Sequence, residues 1–165
     1  MSLCLERKSI RHFTAEPVAM PVVETLLKSA MQAPSARNQQ PWAFIVIRNR
    51  DVLDTLATMS PGAKPLARAP LAICPIIRPD MPAPKMVQQD LAAATQNILL
   101  EAVRQQLGAV WIGVCPHEDR MAFVSQHVKM PDNHIPFCLI ALGHPDEPTA
   151  VTTLRFDPDR ITVLD

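Results

Sequence analysis

The sequence is short of glycine. It has 4 glycines and 17 prolines in 165 residues. Gly62, Gly108, Gly113 and Gly143 stand too far apart to build a GxGxxG turn or a GxxxxGK[ST] loop. Neither glycine-built phosphate cradle is expected, so a phosphate would have to be held by side chains. An excess of one charge is also absent. The 16 Lys and Arg balance 16 Asp and Glu, which gives no electrostatic reason to expect a nucleic-acid or anionic-membrane surface. Cys4, Cys74, Cys115 and Cys138 form no CxxC pair, and the five histidines form no HxxxH or HExxH pattern. A metal centre is therefore not expected. Cys74 and Cys138 sit inside apolar runs and are read as buried free thiols. No apolar run approaches the ~20 residues of a membrane span. Residues 1–8 carry charges where a signal peptide needs its apolar core, and a reducing cytoplasm is the expected compartment.

Prolines punctuate what is present. Residues 3–11 read as a short helix and residues 21–31 as a second, with Pro21 in its first turn and Pro34 beyond its end. A polar loop over 33–41 leads into a strand at 42–48 and a short helix at 51–59. Leu71–Ile77 is apolar and β-branched, a buried strand. Residues 87–107 contain neither Gly nor Pro and are apolar almost all round, which marks a central buried helix with Gly108 as its stop. A strand at 109–114, a helix at 117–127 and a buried strand at 137–143 follow. The tail from His144 is too poor in apolar groups to fold alone, which invites docking on a second subunit. The order gives an α+β fold with helices on both sides of a sheet, in one domain spanning 1–165.

Four groups of residues could carry chemistry. Arg7, Lys8, Ser9 and Arg11 bring cations and a hydroxyl within five positions. On a helix Arg7 and Arg11 would share one side, a set suited to a phosphate monoester. The run from Ala33 to Trp42, with Pro34, Ser35, Ala36 and Asn38, collects hydroxyl and amide groups able to read the edge of a heterocycle. Trp111-Ile112-Gly113 places a glycine inside an apolar strand, where close approach by a ligand or another backbone is a frequent reason. Lys64 and Arg155 are lone cations whose plainest reading is surface charge. Taken singly, the first three groups also admit bland readings: a solvated basic face, a polar turn and a strand bend. Cys115, close to the third group, is read as a packing residue with a possible thiol role.

The order of these motifs resembles the FMN-dependent nitroreductase family from about Leu5 to Arg160. The match rests on Glu6-Arg7-Lys8-Ser9-Ile10-Arg11-His12-Phe13, on the 33–42 segment, and on Gln89-Asp90 through Gln96-Asn97 to Gly108 and Trp111-Ile112-Gly113. Gly143 to Pro148 and Arg155-Phe156-Asp157 complete it. The resemblance implies a three-layer sandwich with a mostly antiparallel central sheet, and a homodimer in which each C-terminal tail is swapped onto the partner. It implies two FMN sites at the interface and NAD(P)H as electron donor. It places Arg7, Lys8, Ser9 and Arg155 at the FMN phosphate and ribityl chain, and Arg11 and Lys64 at the N1 and C2 carbonyl side. Pro34, Ser35, Ala36 and Asn38 would come from the opposite subunit, with Ile112 and Gly113 beside the reactive face. The implied activity is ping-pong transfer of a hydride from NAD(P)H to a nitroaromatic or quinone. Ala36, Val114 and Thr153 depart from the family's pattern, and Val114 is expected to narrow the space beside Gly113. Two alternatives stay open: a flavin carrier or sensor with little turnover, and a specialised enzyme of reduced flavin and oxygen.

Overall fold

A computed structural model of the chain describes residues 2–146 and 154–164. Five helices and five strands form in the order α1 (Leu3–Glu6), α2 (Met20–Met31), β1 (Trp42–Ile47), α3 (Arg50–Ala57), β2 (Leu71–Ile77), α4 (Val87–Arg104), β3 (Gly108–Gly113), α5 (Glu118–His127), β4 (Ile135–Pro136) and β5 (Cys138–Gly143). The sheet runs β1-β2-β5-β3, with β4 paired to β2. Each of these pairings is antiparallel.

Alternation along the strands builds the layers, because successive side chains point to opposite faces. Leu71, Ile73, Ile140, Leu142 and Ala109 join a core with α2 and α4. Their neighbours Ala72, Cys74, Ile76, Leu139, Ala141, Val110 and Ile112 join a second core with α3, α5 and the 3-10 run Pro61–Ala67. The expected three-layer α+β sandwich is therefore present, and its strands read as continuous apolar runs because both faces are covered. Pro75 fits in β2 because β5 pairs only with Leu71 to Ile73 and β4 only with Ile76 and Ile77. Its missing N–H falls where β2 passes from one neighbour to the other.

Two sequence expectations fail for identifiable reasons. The first helix stops at Glu6, not at residue 11. Ser9 instead pairs with Ala109 in parallel, and the Ile10 N–H donates to the Ala109 carbonyl at 3.1 Å. Ile10, 4% exposed, is buried in the core there. The long helix also ends without Gly108. Gln106 takes the left-handed conformation (φ 58°), and the N–H groups of Gln106 and Leu107 donate to Val103 and Ala102 at 3.0 and 2.8 Å. That is a Schellman closure with glutamine where glycine is usual.

Gly108 serves another purpose. A Cβ there would lie 2.6 Å from Ile10 Cγ2. The glycine is what lets the N-terminal arm lie against β3. Among the described residues no helix is long and apolar enough to cross a membrane.

Candidate functional site

The arm at residues 7–11 is extended, so the reason for grouping its cations changes. Arg7 and Arg11 do not sit one helical turn apart. In an extended chain Arg7, Ser9 and Arg11 share one side, opposite the side of the buried Ile10. The pairing of Ser9 with Ala109 fixes this row at the start of β3.

The far end of β3 is Gly113. The Ala109 carbonyl faces the outer edge, where it accepts from Ile10, so Trp111 and Gly113 present their backbone groups to that same edge. From Ala109 to Gly113 is about 13 Å at the usual strand rise. Among the described residues no strand pairs with this stretch of edge. A Cβ built on Gly113 meets only Arg120 Nη1, at 3.9 Å. The protein's own packing does not require glycine there, in contrast to Gly108 and to Gly143, whose Cβ would strike Pro70. Ile112 points its side chain into the core at 3% exposure, and by the same alternation its backbone groups face β5. Val114 is fully buried at 0% exposure. It points into the α5 side of the core, so the expectation that it narrows the space beside Gly113 does not hold.

The 33–41 loop is held by Asp90 of α4, which the sequence offered only as part of the family motif. The Asp90 side chain, on a residue 5% exposed, accepts the Ala36 N–H at 3.0 Å and the Gln39 amide at 2.6 Å. Gln39 also bonds both ways with Ala83, at 3.1 and 2.9 Å. The Ser35 hydroxyl accepts the Gln40 N–H at 3.0 Å. Arg37, Asn38 and Gln40 all have positive φ, at 53°, 52° and 44°. Three non-glycine residues in the left-handed region store strain that neighbouring contacts must offset. Pro34 and Asn38 remain exposed. Asp90→Ala should lower unfolding free energy by about 2–3 kcal/mol and release this loop. Urea unfolding and proteolysis near Arg37 test it, and wild-type values in both would remove Asp90 from this role.

The structure thus brings the arm that carries Arg7, Lys8, Ser9 and Arg11 to the start of the β3 edge and leaves Gly113 at its far end, while Ile112 faces the core and β5. Lys64 is exposed on the 61–67 run, which packs against β3. The loop with Ser35, Ala36 and Asn38 is tied to α4 through Asp90. Arg155 is exposed on the tail, while Thr153 and Glu147 to Pro148 lie outside the described residues. Two surface hollows, of about 530 Å³ beside Arg48 and Arg68 and about 470 Å³ beside Lys28 and Glu101, contain none of the predicted site residues. Burial raises the Cys115 thiol above its ordinary range and pushes Cys74 up to about 12. Both are protonated near neutral pH, which leaves no thiolate nucleophile at either position. Arg120 was missed. It sits on a mixed polar helix with no sequence signal, yet its guanidinium bonds the Gly113 carbonyl at 3.0 Å.

Sandwich, basic arm and open glycine edge define an α+β oxidoreductase of the nitroreductase-like fold class. A crystal structure from Clostridium acetobutylicum named "Putative NADH Oxidase" superposes with a TM-score of 0.94 at 41% identity, covering 99% of both chains. The FMN-dependent nitroreductase of Clostridium difficile gives 0.87 at 26% identity, covering 98% of this chain and 97% of that one. A Methanothermobacter thermautotrophicus protein named "Putative NADH dehydrogenase/NAD(P)H nitroreductase" is 40% identical over 94% of this chain and 81% of its own. The nitroreductase family's sequence profile matches residues 4–61 and 60–144. The chain belongs to the nitroreductase family.

Proposed function

We propose that the chain is an FMN-dependent NAD(P)H oxidoreductase that works as a homodimer. The observation that carries this reading is the β3 edge. A row of cations and a hydroxyl is fixed at its start by the Ser9–Ala109 bridge, and a glycine that internal packing does not require stands at its other end. An anion-binding arm and a close-approach point about 13 Å apart suit an elongated cofactor with a phosphate at one end and a flat ring at the other. The FMN named for the C. difficile protein has that form, and the NADH and NAD(P)H named for the other relatives would supply its electrons.

In this reading Arg7, Lys8, Ser9 and Arg155 hold the phosphate, with Arg155 arriving on the tail. Pro34, Ser35, Ala36 and Asn38 line the ring from the opposite subunit, on the loop that Asp90 keeps strained. Bound FMN supplies a two-electron carrier that alternates between a nicotinamide donor and a second acceptor such as a nitroaromatic or quinone. The backbone of Gly113 would orient the ring, with Ile112 beside it in the strand. Arg11 and Lys64 put positive charge beside the ring edge that becomes negative on reduction. If the Arg11 interaction differs by about 1.4 kcal/mol between the two redox states, Arg11→Ala lowers the flavin potential by about 30 mV. Spectroelectrochemical titration reads this, and an unshifted potential in a yellow variant would remove Arg11 from the role.

The reading as a whole is tested by the absorption spectrum of the purified protein and an anaerobic titration with NADH and NADPH. A flavin band bleached without a mediator is expected. A colourless protein that refuses added FMN would overturn it. The packing of Val114 into the core removes the steric motive for a non-turning-over carrier.

A further inference from the structure

Arg120 has an unusual position for a helical surface arginine. It lies in the first half of α5, part-buried, and its Nη1 donates to the Gly113 carbonyl at 3.0 Å. That carbonyl faces the outer edge of β3, so the guanidinium reaches around the end of the strand to the open side. Among the described residues the same Nη1 is the one heavy atom outside the adjoining residues within 4 Å of the place a Gly113 side chain would fill. Glu118 and Asp119 stand on the same helix, but among the described residues no carboxylate makes an ion pair with Arg120. A guanidinium carries five donors in a fixed fork. The bond to Gly113 engages Nη1, and among the described residues no carboxylate covers the rest of the fork.

We propose that Arg120 is a specificity-determining residue that selects acceptors bearing a carboxylate. The claim rests on the flavin reading, because it takes the space over Gly113 as the place where acceptor meets cofactor. A planar carboxylate matches the free fork edge with parallel N–H···O bonds. The half-buried setting screens that attraction less than bulk water would. The Gly113 bond holds the guanidinium in place before the acceptor arrives, so less side-chain freedom is lost on binding. Neutral acceptors of the same shape gain nothing from this group and leave it without a partner.

The experiment compares para-nitrobenzoate with neutral para-nitrobenzamide as acceptors for the FMN-loaded protein, and measures benzoate binding to the oxidised protein by calorimetry. In the wild type kcat/KM should favour the carboxylate. In Arg120→Gln the ratio of the two values should fall at least tenfold, mainly through KM for the carboxylate, and benzoate affinity should fall alongside. Arg120→Lys, which keeps the charge but not the fork, should restore part of both. Equal ratios and equal benzoate affinity in wild type and Arg120→Gln would overturn the assignment. A loss confined to NADH or NADPH kinetics would place the guanidinium on the nucleotide phosphates and overturn it as well. A yellow, NADH-reducible protein without the preference sinks this inference alone, whereas a protein that takes no FMN sinks the flavin reading with it.

Discussion

Gly108→Ala is expected to unfold at a temperature roughly 2–12 °C below wild type and to lose FMN, while Gly113→Ala unfolds at the wild-type temperature and still binds FMN poorly. The two glycines terminate the same strand and are missing the same atom. A Cβ on Gly108 would sit 2.6, 2.7 and 3.0 Å from three carbons of Ile10. Those contacts cannot be made, so either Ile10 leaves its buried position or the arm lifts from β3. Overpacking of this kind costs about 1–3 kcal/mol, and each kcal/mol lowers the melting temperature of a domain this size by roughly 2–4 °C. The arm carries Arg7, Ser9 and Arg11, so the same displacement scatters the cations proposed for the phosphate.

At Gly113 the new methyl has room, with Arg120 Nη1 as its nearest contact at 3.9 Å and no positive φ to relieve. The expected change in stability lies within about 0.5 kcal/mol. The methyl would occupy the space proposed for the flavin ring, and a loss of at least tenfold in FMN affinity follows. Differential scanning calorimetry and fluorescence titration with FMN read both variants. Wild-type FMN affinity in Gly113→Ala would detach that end of β3 from the cofactor.

Removal of residues 154–165 is the second large effect. Leu154, Phe156, Ile161, Val163 and Leu164 are 68, 66, 57, 73 and 92% exposed. Such a concentration of exposed large apolar side chains is uncommon on a chain that stays alone. Each is worth about 1.5–3 kcal/mol if fully buried, before the cost of ordering the tail is subtracted. In the proposed homodimer a second copy of the chain would cover them, and the same tail would deliver Arg155. The truncated protein should elute as a monomer or aggregate, lose its yellow colour during gel filtration, and fail to recover it in micromolar FMN. Light scattering in line with the column gives the mass. A truncated protein that remains a yellow dimer would show that neither the pairing nor the phosphate site uses the tail.

The layers of the fold were legible because burial on both faces leaves a simple trace. Short continuous apolar runs at β2, β3 and β5 and the nearly all-round apolar surface of α4 mark buried elements without any knowledge of pairing. The basic arm was legible as composition, but its geometry was misread. A helix at residues 3–11 is locally reasonable, and only the distant Ala109 carbonyl and the pocket for Ile10 pull the segment into an extended line. Gly108 shows the same split. Its position after a long helix suggests a cap, and a contact with a residue nearly a hundred positions away gives it its actual role. Arg120 had no local signal at all, because its meaning depends on where the Gly113 carbonyl points.

Hydrophobic spacing and proline punctuation by themselves determined the class of fold, and the order of its motifs carried the resemblance to the family. These are properties of neighbouring residues, and the sequence records neighbours directly. Tertiary structure alone decided which side of the arm faces the β3 edge, that Asp90 braces the strained loop, and that an arginine stands over Gly113. Each of those depends on backbone groups brought together across long stretches of chain, where hydrogen bonding and burial outweigh local preference.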